Sequence, residues 1–295
     1  MWCRKPATDG ERGMALVTVI WVLALLSVLA LGFVATARTD LRIARNQVEA
    51  ASAQTIADAG VTLALLGVLD PTPDKRWHAD GRPYQRSYGN GRIDIRVEDE
   101  GGKIDLNAAP LPALHNLFAN AGLANAEGLA EIILAQRKLV DEAADKSHFR
   151  RAEGQSRPMA FLASDELREL PGMTYAAFAR IEPFVTVYSE NSSPDPNTAP
   201  AEVLLALPDA KPDQVRSTIA QRMQSWQPGS VAAQQIAVTD LQAITVVSTG
   251  ITARGTTFVR EAIVRLTGDR AQPYRILAWR RGEPGPRTVT AGILP

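Results

Sequence analysis

The chain has almost no cysteine, few histidines, few aromatics and no excess of either charge. Cys3 is the one thiol in 295 residues and precedes the first apolar run. Removal of the segment ahead of that run would leave neither a disulfide nor a cysteine metal site. Lysine plus arginine equals aspartate plus glutamate, 32 against 32. That balance gives no electrostatic footprint for nucleic acid, whose binding rests on neutralising phosphates. The three histidines, His78, His115 and His148, lie far apart and lack the i, i+4 spacing of a helical zinc site. There is no Gly-x-Ser-x-Gly elbow, and Gly101-Gly102-Lys103 lacks the spacing of a phosphate loop. No enzymatic activity is expected. The 45% apolar content is enough to fill a core, which excludes global disorder.

What the sequence does have is one long greasy run. Residues Met14 to Ala37 carry no charge and no proline, and their single glycine, Gly32, falls near the end. As a helix the run covers about 36 Å, more than the roughly 30 Å hydrocarbon core of a bilayer. It is too long for a secretory h-region of about 7–15 residues, and no cleavable break follows it. Helical spacing continues through Leu41, Ala44, Val48, Ala51, Ile56, Ala59, Leu63 and Leu66 until Asp70-Pro71 stops it. One helix of about 84 Å is predicted from Met14 to Leu69, apolar all round at first and amphipathic later. Arg4, Lys5 and Arg12 precede the run and Arg38, Arg42 and Arg45 follow it, so charge bias does not set its orientation.

A polar linker, 70–83, leads to β patterning. Ile93, Ile95 and Val97 alternate with polar residues, and Asn90-Gly91 is read as a hairpin turn after Tyr84–Tyr88. Further strands are predicted at Thr245–Thr252, Thr257–Leu266 and Tyr274–Trp279, with turns at Arg254-Gly255 and Gly268-Asp269. Between them the period is helical. Leu129, Ile132, Ile133, Gln136 and Leu139 fit one helix, and Val215, Ile219 and Met223 another with Asp213 as its cap. Strands on both sides of a helical block read as one sheet carrying an insertion. The expected class is α+β: a long N-terminal helix on a small antiparallel sheet, with a large all-helical insert. The expected segments are 1–13 leader, 14–70 helix with transmembrane half 14–37, 71–100 and 241–281 β domain, 101–240 insert, and 282–295 loose tail. The insert holds a weak repeat, Asp105-Leu106-Asn107-Ala108-Ala109-Pro110 and Asp195-Pro196-Asn197-Thr198-Ala199-Pro200, each with a leucine, Leu114 or Leu204, four residues after its proline. Both read as helix starts, with Asn or Thr as acceptors and proline in the first turn.

Glu11-Arg12-Gly13 before Met14-Ala15-Leu16 resembles the processing site of type IV pilin-like precursors. The resemblance implies that prepilin peptidase cuts between Gly13 and Met14 and methylates the new N-terminus at Met14. The fifth mature residue is then Thr18, where most such proteins carry a glutamate that pairs with a neighbour's terminal amine. That departure resembles the general secretion pathway protein K family, the tip minor pseudopilins of type II secretion. So do the insert with an Asn-Thr-Ala-like motif and a last strand ending Ile276-Leu277-Ala278-Trp279-Arg280-Arg281. The resemblance implies a type IV pilin-like fold anchored once in the inner membrane, with its bulk in the periplasm. It implies a role in capping or initiating the pseudopilus at its tip, supporting export of folded proteins across the outer membrane. Implied partners are the other minor pseudopilins, the major pseudopilin, prepilin peptidase and the inner-membrane secretion platform, with no nucleic acid.

The family often binds calcium through carboxylates of the insert. Here the candidates Asp141, Glu142, Asp145 and Glu153 are interrupted by Lys146, Arg150 and Arg151, and calcium wants six to eight oxygens around one point. Neither metal nor cofactor is expected. The alternative reading is a membrane-tethered helix-hairpin-helix DNA-binding or uptake protein, from Ile104-Asp105-Leu106-Asn107-Ala108-Ala109 and Leu170-Pro171-Gly172-Met173. Thr174 stands where such hairpins place a second glycine, and Glu166, Glu169 and Glu182 would repel phosphate.

Overall fold

The computed structural model describes residues 9–72, 75–146, 159–225 and 243–283. By internal contacts the chain divides into two units, Met1–Ser52 and Ala53–Pro295. A single helix, α1 (Asp9–Val68), supplies the first unit and the start of the second. It begins before Met14, at Asp9, and it ends at Val68, just ahead of Asp70-Pro71.

In the first unit the helix is apolar and exposed. Met14, Trp21 and Phe33 are 70%, 73% and 77% accessible. The helix is long and apolar enough to cross a membrane, as expected for a single spanning or signal-like segment. Its hydroxyls bond to the helix itself: Thr18 Oγ1 donates to the Met14 carbonyl at 3.2 Å, Ser27 Oγ to Leu23 at 2.7 Å, and Thr36 Oγ1 to Gly32 at 3.1 Å. Bonds back to the i−4 carbonyl give each hydroxyl an acceptor within the helix, as lipid requires.

The second unit is built on a five-stranded antiparallel sheet in the order β1-β2-β5-β6-β7. Its strands are β1 (Asp80–Tyr88), β2 (Gly91–Asp99), β5 (Ala243–Ile251), β6 (Thr257–Leu266) and β7 (Tyr274–Arg281). The first hairpin differs from expectation by one residue. Its loop is Gly89-Asn90, and Gly91 already pairs with Tyr88. Gly89 takes the positive φ of 55° that a two-residue hairpin loop needs. Gly91 serves a different need, since a Cβ there would lie 2.6 Å from the Ile251 carbonyl and 2.7 Å from Ile56 Cδ1. β1 also starts earlier than Tyr84, with a register shift between Asp80 and Pro83; as an edge strand it can tolerate the proline.

The end of α1 covers one face of this sheet. The buried helix residues are Ala53, Ile56, Ala57, Gly60, Val61, Ala64, Leu65 and Val68. Of the expected stripe, Ile56 is buried and Ala59 and Leu63 pack half-buried against this core, whereas Leu66 is 66% exposed. Small residues govern the packing, because a Cβ on Gly250 of β5 would overlap the Ala53 carbonyl and the Ala57 amide. The core beneath holds Ile93, Ile95, Val97, Ile244, Val246, Ala262 and Val264. Arg260 Nε of β6 pairs with Asp58 Oδ1 of α1 at 2.6 Å.

The insert leaves after Asp99 and returns into β5, and Asp99 pairs directly with Ile244. It therefore occupies the tip of the β2–β5 hairpin. Its elements are β3 (Ile104–Asp105), α2 (Leu111–Asn120), α3 (Ala126–Lys146), α4 (Tyr175–Ile181), β4 (Val185–Thr186), α5 (Ala201–Ala206) and α6 (Pro212–Ser225). The insert is helical as expected but also holds a parallel pair, Ile104 with Val185 and Asp105 with Thr186, too short to leave a pattern in the sequence. Its core is separate: Leu114, Leu117, Phe118, Leu129, Ile133, Phe161, Ile181 and Leu204 among others. A long helix packed by its end on a small antiparallel sheet, with a helical insert, is a type IV pilin-like α+β fold. Residues 1–8 of the expected leader, the insert's end at 240 and tail residues 284–295 lie outside the described residues.

Candidate functional site

Gly13, Met14 and Thr18 all fall within α1. Thr18 is exposed, and its hydroxyl donates to the carbonyl of Met14, four residues back. The fifth residue counted from Met14 thus presents a hydroxyl bonded within its own helix, where a carboxylate would need a cation.

A second constellation joins the insert to the sheet. Glu100 is buried at 2% exposure. Its Oε1 accepts from Lys103 Nζ at 2.6 Å and from Thr245 Oγ1 of β5 at 2.6 Å, and its Oε2 accepts from Thr186 Oγ1 of β4. One carboxylate thus ties the main sheet to the small sheet of the insert. Burial acts to raise its pKa, but the Lys103 ammonium and the three donated hydrogen bonds outweigh it and hold the group below the ordinary glutamate range. Next to it, Asp99 accepts from the Gly101 amide at 2.9 Å and from Thr198 Oγ1 at 2.7 Å. Here burial prevails, aided by the like charges of Asp195 and Glu100, and the Asp99 carboxyl is pushed up to about 6. Arg280 reaches across as well: it donates to Glu261 of β6 at 2.6 and 3.0 Å and to Asp165 of the insert at 3.0 Å. Arg265 donates to Glu190 at 2.7 Å and to the Tyr188 carbonyl at 3.1 Å.

The sequence repeat is a structural repeat. Asp105 Oδ1 accepts from the amides of Asn107 at 2.7 Å and Ala108 at 3.1 Å, and Asp195 Oδ1 accepts from Asn197 at 2.8 Å. The amides of Ala109 and Ala199 close each turn on the carbonyls of Asp105 and Asp195. Pro110 and Pro200 are then the N-caps of α2 and α5, with no side-chain capping bond. The expected acceptors were Asn and Thr; the aspartate leading each motif does that work, because its carboxylate reaches forward over the turn. Asn107 is used elsewhere, bonded to both the amide and the carbonyl of Phe161 at 2.9 Å. A later arginine caps each turn. Arg137 of α3 donates to the carbonyls of Leu106 at 2.5 Å, Ala109 at 2.6 Å and Asp105 at 3.4 Å. Arg222 of α6 donates to those of Pro196 at 3.2 Å and Ala199 at 2.9 Å. Both arginines sit on helices whose sequence gives no hint of this reach. Asp213 is not a cap: α6 starts at Pro212, where a missing N–H costs nothing, and Asp213 pairs with Arg216 at 2.5 Å.

At the hairpin read as a possible phosphate site, Gly172 takes φ 89° and Thr174 caps α4 by accepting from the Ala177 amide at 3.1 Å. Thr174 is spent on its own helix. Of the calcium candidates, Asp141, Glu142 and Asp145 lie on α3, and Glu142 pairs with Lys138 at 3.9 Å. Glu153 and His148 lie outside the described residues. Among the described residues no three His, Cys, Asp or Glu side chains converge as metal ligands.

No protein-family model matches the chain. In sequence it is similar to Type II secretion system protein K of Pseudomonas aeruginosa, 24% identical over 244 residues that cover 72% of this chain and 73% of that protein. Among solved structures it is similar to the GspK-GspI-GspJ complex of the type II secretion system of enterotoxigenic Escherichia coli. That match has a TM-score of 0.47 and 17% identity, covering 84% of this chain and 99% of the other.

Proposed function

We propose that this chain, a homologue of the K-type minor pseudopilins, is a minor pseudopilin of a type II secretion system that sits at the tip of its fibre. The similarity over almost three quarters of both chains supports the family reading. The observation that carries the mechanism is α1: one helix, exposed and apolar in its first half, whose last turns pack on a sheet. Such a helix can rest in a bilayer and later bury the same surface against neighbouring helices in a fibre. Prepilin peptidase cuts between Gly13 and Met14 and methylates Met14.

Thr18 suits the first subunit laid down. With its hydroxyl bonded to its own helix, it requires no neighbour's amine to neutralise a charge in lipid. The insert at the hairpin tip adds bulk that a fibre end accommodates and a shaft does not. The partners are the other minor pseudopilins first, then the major pseudopilin and the inner-membrane secretion platform. The anchor lies in the inner membrane, the sheet and insert in the periplasm. The work is mechanical and templating, with no covalent bond made or broken in a substrate.

Mass spectrometry of the chain recovered from cells with their prepilin peptidase tests this reading. The expected N-terminus is methylated Met14. An intact leader, or a cut beyond Ala37, overturns it. A salt-dependent DNA titration of the same material is expected to give no binding; clear binding favours the uptake-receptor alternative.

A further inference from the structure

Directly after the apolar run, α1 carries Arg38, Arg42 and Arg45, all exposed. Their i, i+4, i+7 spacing places them within an arc of about 60° at 3.6 residues per turn. Along the axis they occupy about 10 Å, starting one residue beyond the uncharged segment that ends at Ala37. Asp40 lies on the far side of the helix, and Glu49, four residues after Arg45, shares the arc about 6 Å farther from the apolar run.

We infer that Arg38, Arg42 and Arg45 form a binding face for anionic phospholipid headgroups at the membrane surface where α1 emerges. This rests on the reading of residues 14–37 as the membrane anchor. If that segment fills the hydrocarbon, the three guanidiniums stand at headgroup depth, and their stems lie along the apolar boundary. A guanidinium engages a phosphate through two parallel N–H donors, which favours Arg here over Lys. Three such groups on one arc attract negatively charged lipid over the zwitterionic lipid around it. The consequence is a fixed depth for the helix before assembly, because sliding it inward would drag three cations out of the headgroup layer. Withdrawal of α1 from the membrane then requires these contacts to be exchanged for others.

The test uses the full chain reconstituted in phosphatidylcholine vesicles containing a trace of spin-labelled phosphatidylglycerol or spin-labelled phosphatidylcholine. Flotation of the vesicles reports insertion separately. The expected result is several-fold preferential immobilisation of phosphatidylglycerol by the wild-type chain. That preference should fall when salt is raised from about 0.1 M to about 1 M, as the Debye length drops from about 10 to about 3 Å. The Arg38→Gln/Arg42→Gln/Arg45→Gln variant should float equally well and show no preference, while the Arg38→Lys/Arg42→Lys/Arg45→Lys variant should keep part of it. Flotation with equal immobilisation of both lipids overturns this inference alone, and so does undiminished preference in the glutamine variant. Failure of the wild-type chain to float sinks the anchor reading and this inference together.

Discussion

Lys103 Nζ lies 2.6 Å from Glu100 Oε1 beneath the strands, and the two side chains are 8% and 3% exposed. A pair this buried is maintained by its hydrogen bonds more than by its charges, since desolvation cancels much of the attraction. Removing one member is expected to be far worse than removing both. Glu100→Ala or Lys103→Met should each lower stability by about 3–5 kcal/mol, and Glu100→Leu/Lys103→Met by clearly less than the sum. Denaturant midpoints of the three variants check this. Additive losses would mean that the pair is not coupled.

The neighbouring carboxyl sets a pH dependence. Asp99 has a folded pKa of about 6 against about 3.9 in an unfolded chain. A raised folded value means that the native state holds the proton more tightly. Stability from this group is therefore greatest below about pH 4 and declines as pH rises toward 6, by about 1.4 kcal/mol per unit of pKa difference. Glu100 acts in the opposite sense and lower down, its contribution being lost as pH falls below the unfolded glutamate value. Asp99→Asn is expected to flatten the profile between pH 4 and 6, measured as denaturant midpoint against pH. A residual slope of the same sign should persist, because burial also raises Asp105.

Gly250→Ala tests the approach of α1 to the sheet. The added methyl meets backbone atoms of Ala53 and Ala57, which cannot rotate away. A loss of about 1–3 kcal/mol is expected, with wild-type secondary structure by circular dichroism. Gly172→Ala meets open space but keeps φ 89°, and a cost of about 1–2 kcal/mol from backbone strain is expected there.

The two arginine caps allow an internal comparison. Arg137→Lys leaves one point donor where three carbonyls were served, and a loss of about 2 kcal/mol is expected. Arg222→Lys should cost less, with two carbonyls affected. Urea midpoints that reverse this order would contradict the assignment of the caps.

The long helix and the strand before the insert were legible because a local signal specified them: an unbroken uncharged run, a proline stop, and alternation at Ile93, Ile95 and Val97. The helix face was legible only in part: Ile56, Ala59 and Leu63 do pack on the sheet, but hydrophobicity also pointed to the exposed Leu66 and gave no sign of the close approach at Ala53, Ala57 and Gly60. The same limitation hid the role of Asp105 and Asp195. The sequence marked both motifs as helix starts, but which oxygen accepts depends on how the turn folds over its leading residue. The junction could not be read at all. Glu100 sits in an acidic run, Glu98-Asp99-Glu100, and only the return of Thr186 and Thr245 from distant strands encloses it. Likewise Trp279-Arg280-Arg281 was visible as a motif, while the bridge from Arg280 to Glu261 and Asp165 requires the sheet and insert to be in place.

Asp99 and Ile244 sit side by side, so the chain departs and comes back through neighbouring rungs of one ladder. Anything with closely spaced ends can be mounted there, because lengthening a loop raises its closure cost only logarithmically. Heads of different size and chemistry are therefore interchangeable on this stem at little cost to the strands below. Diversification of what the protein meets can proceed independently of the part that fixes how it assembles.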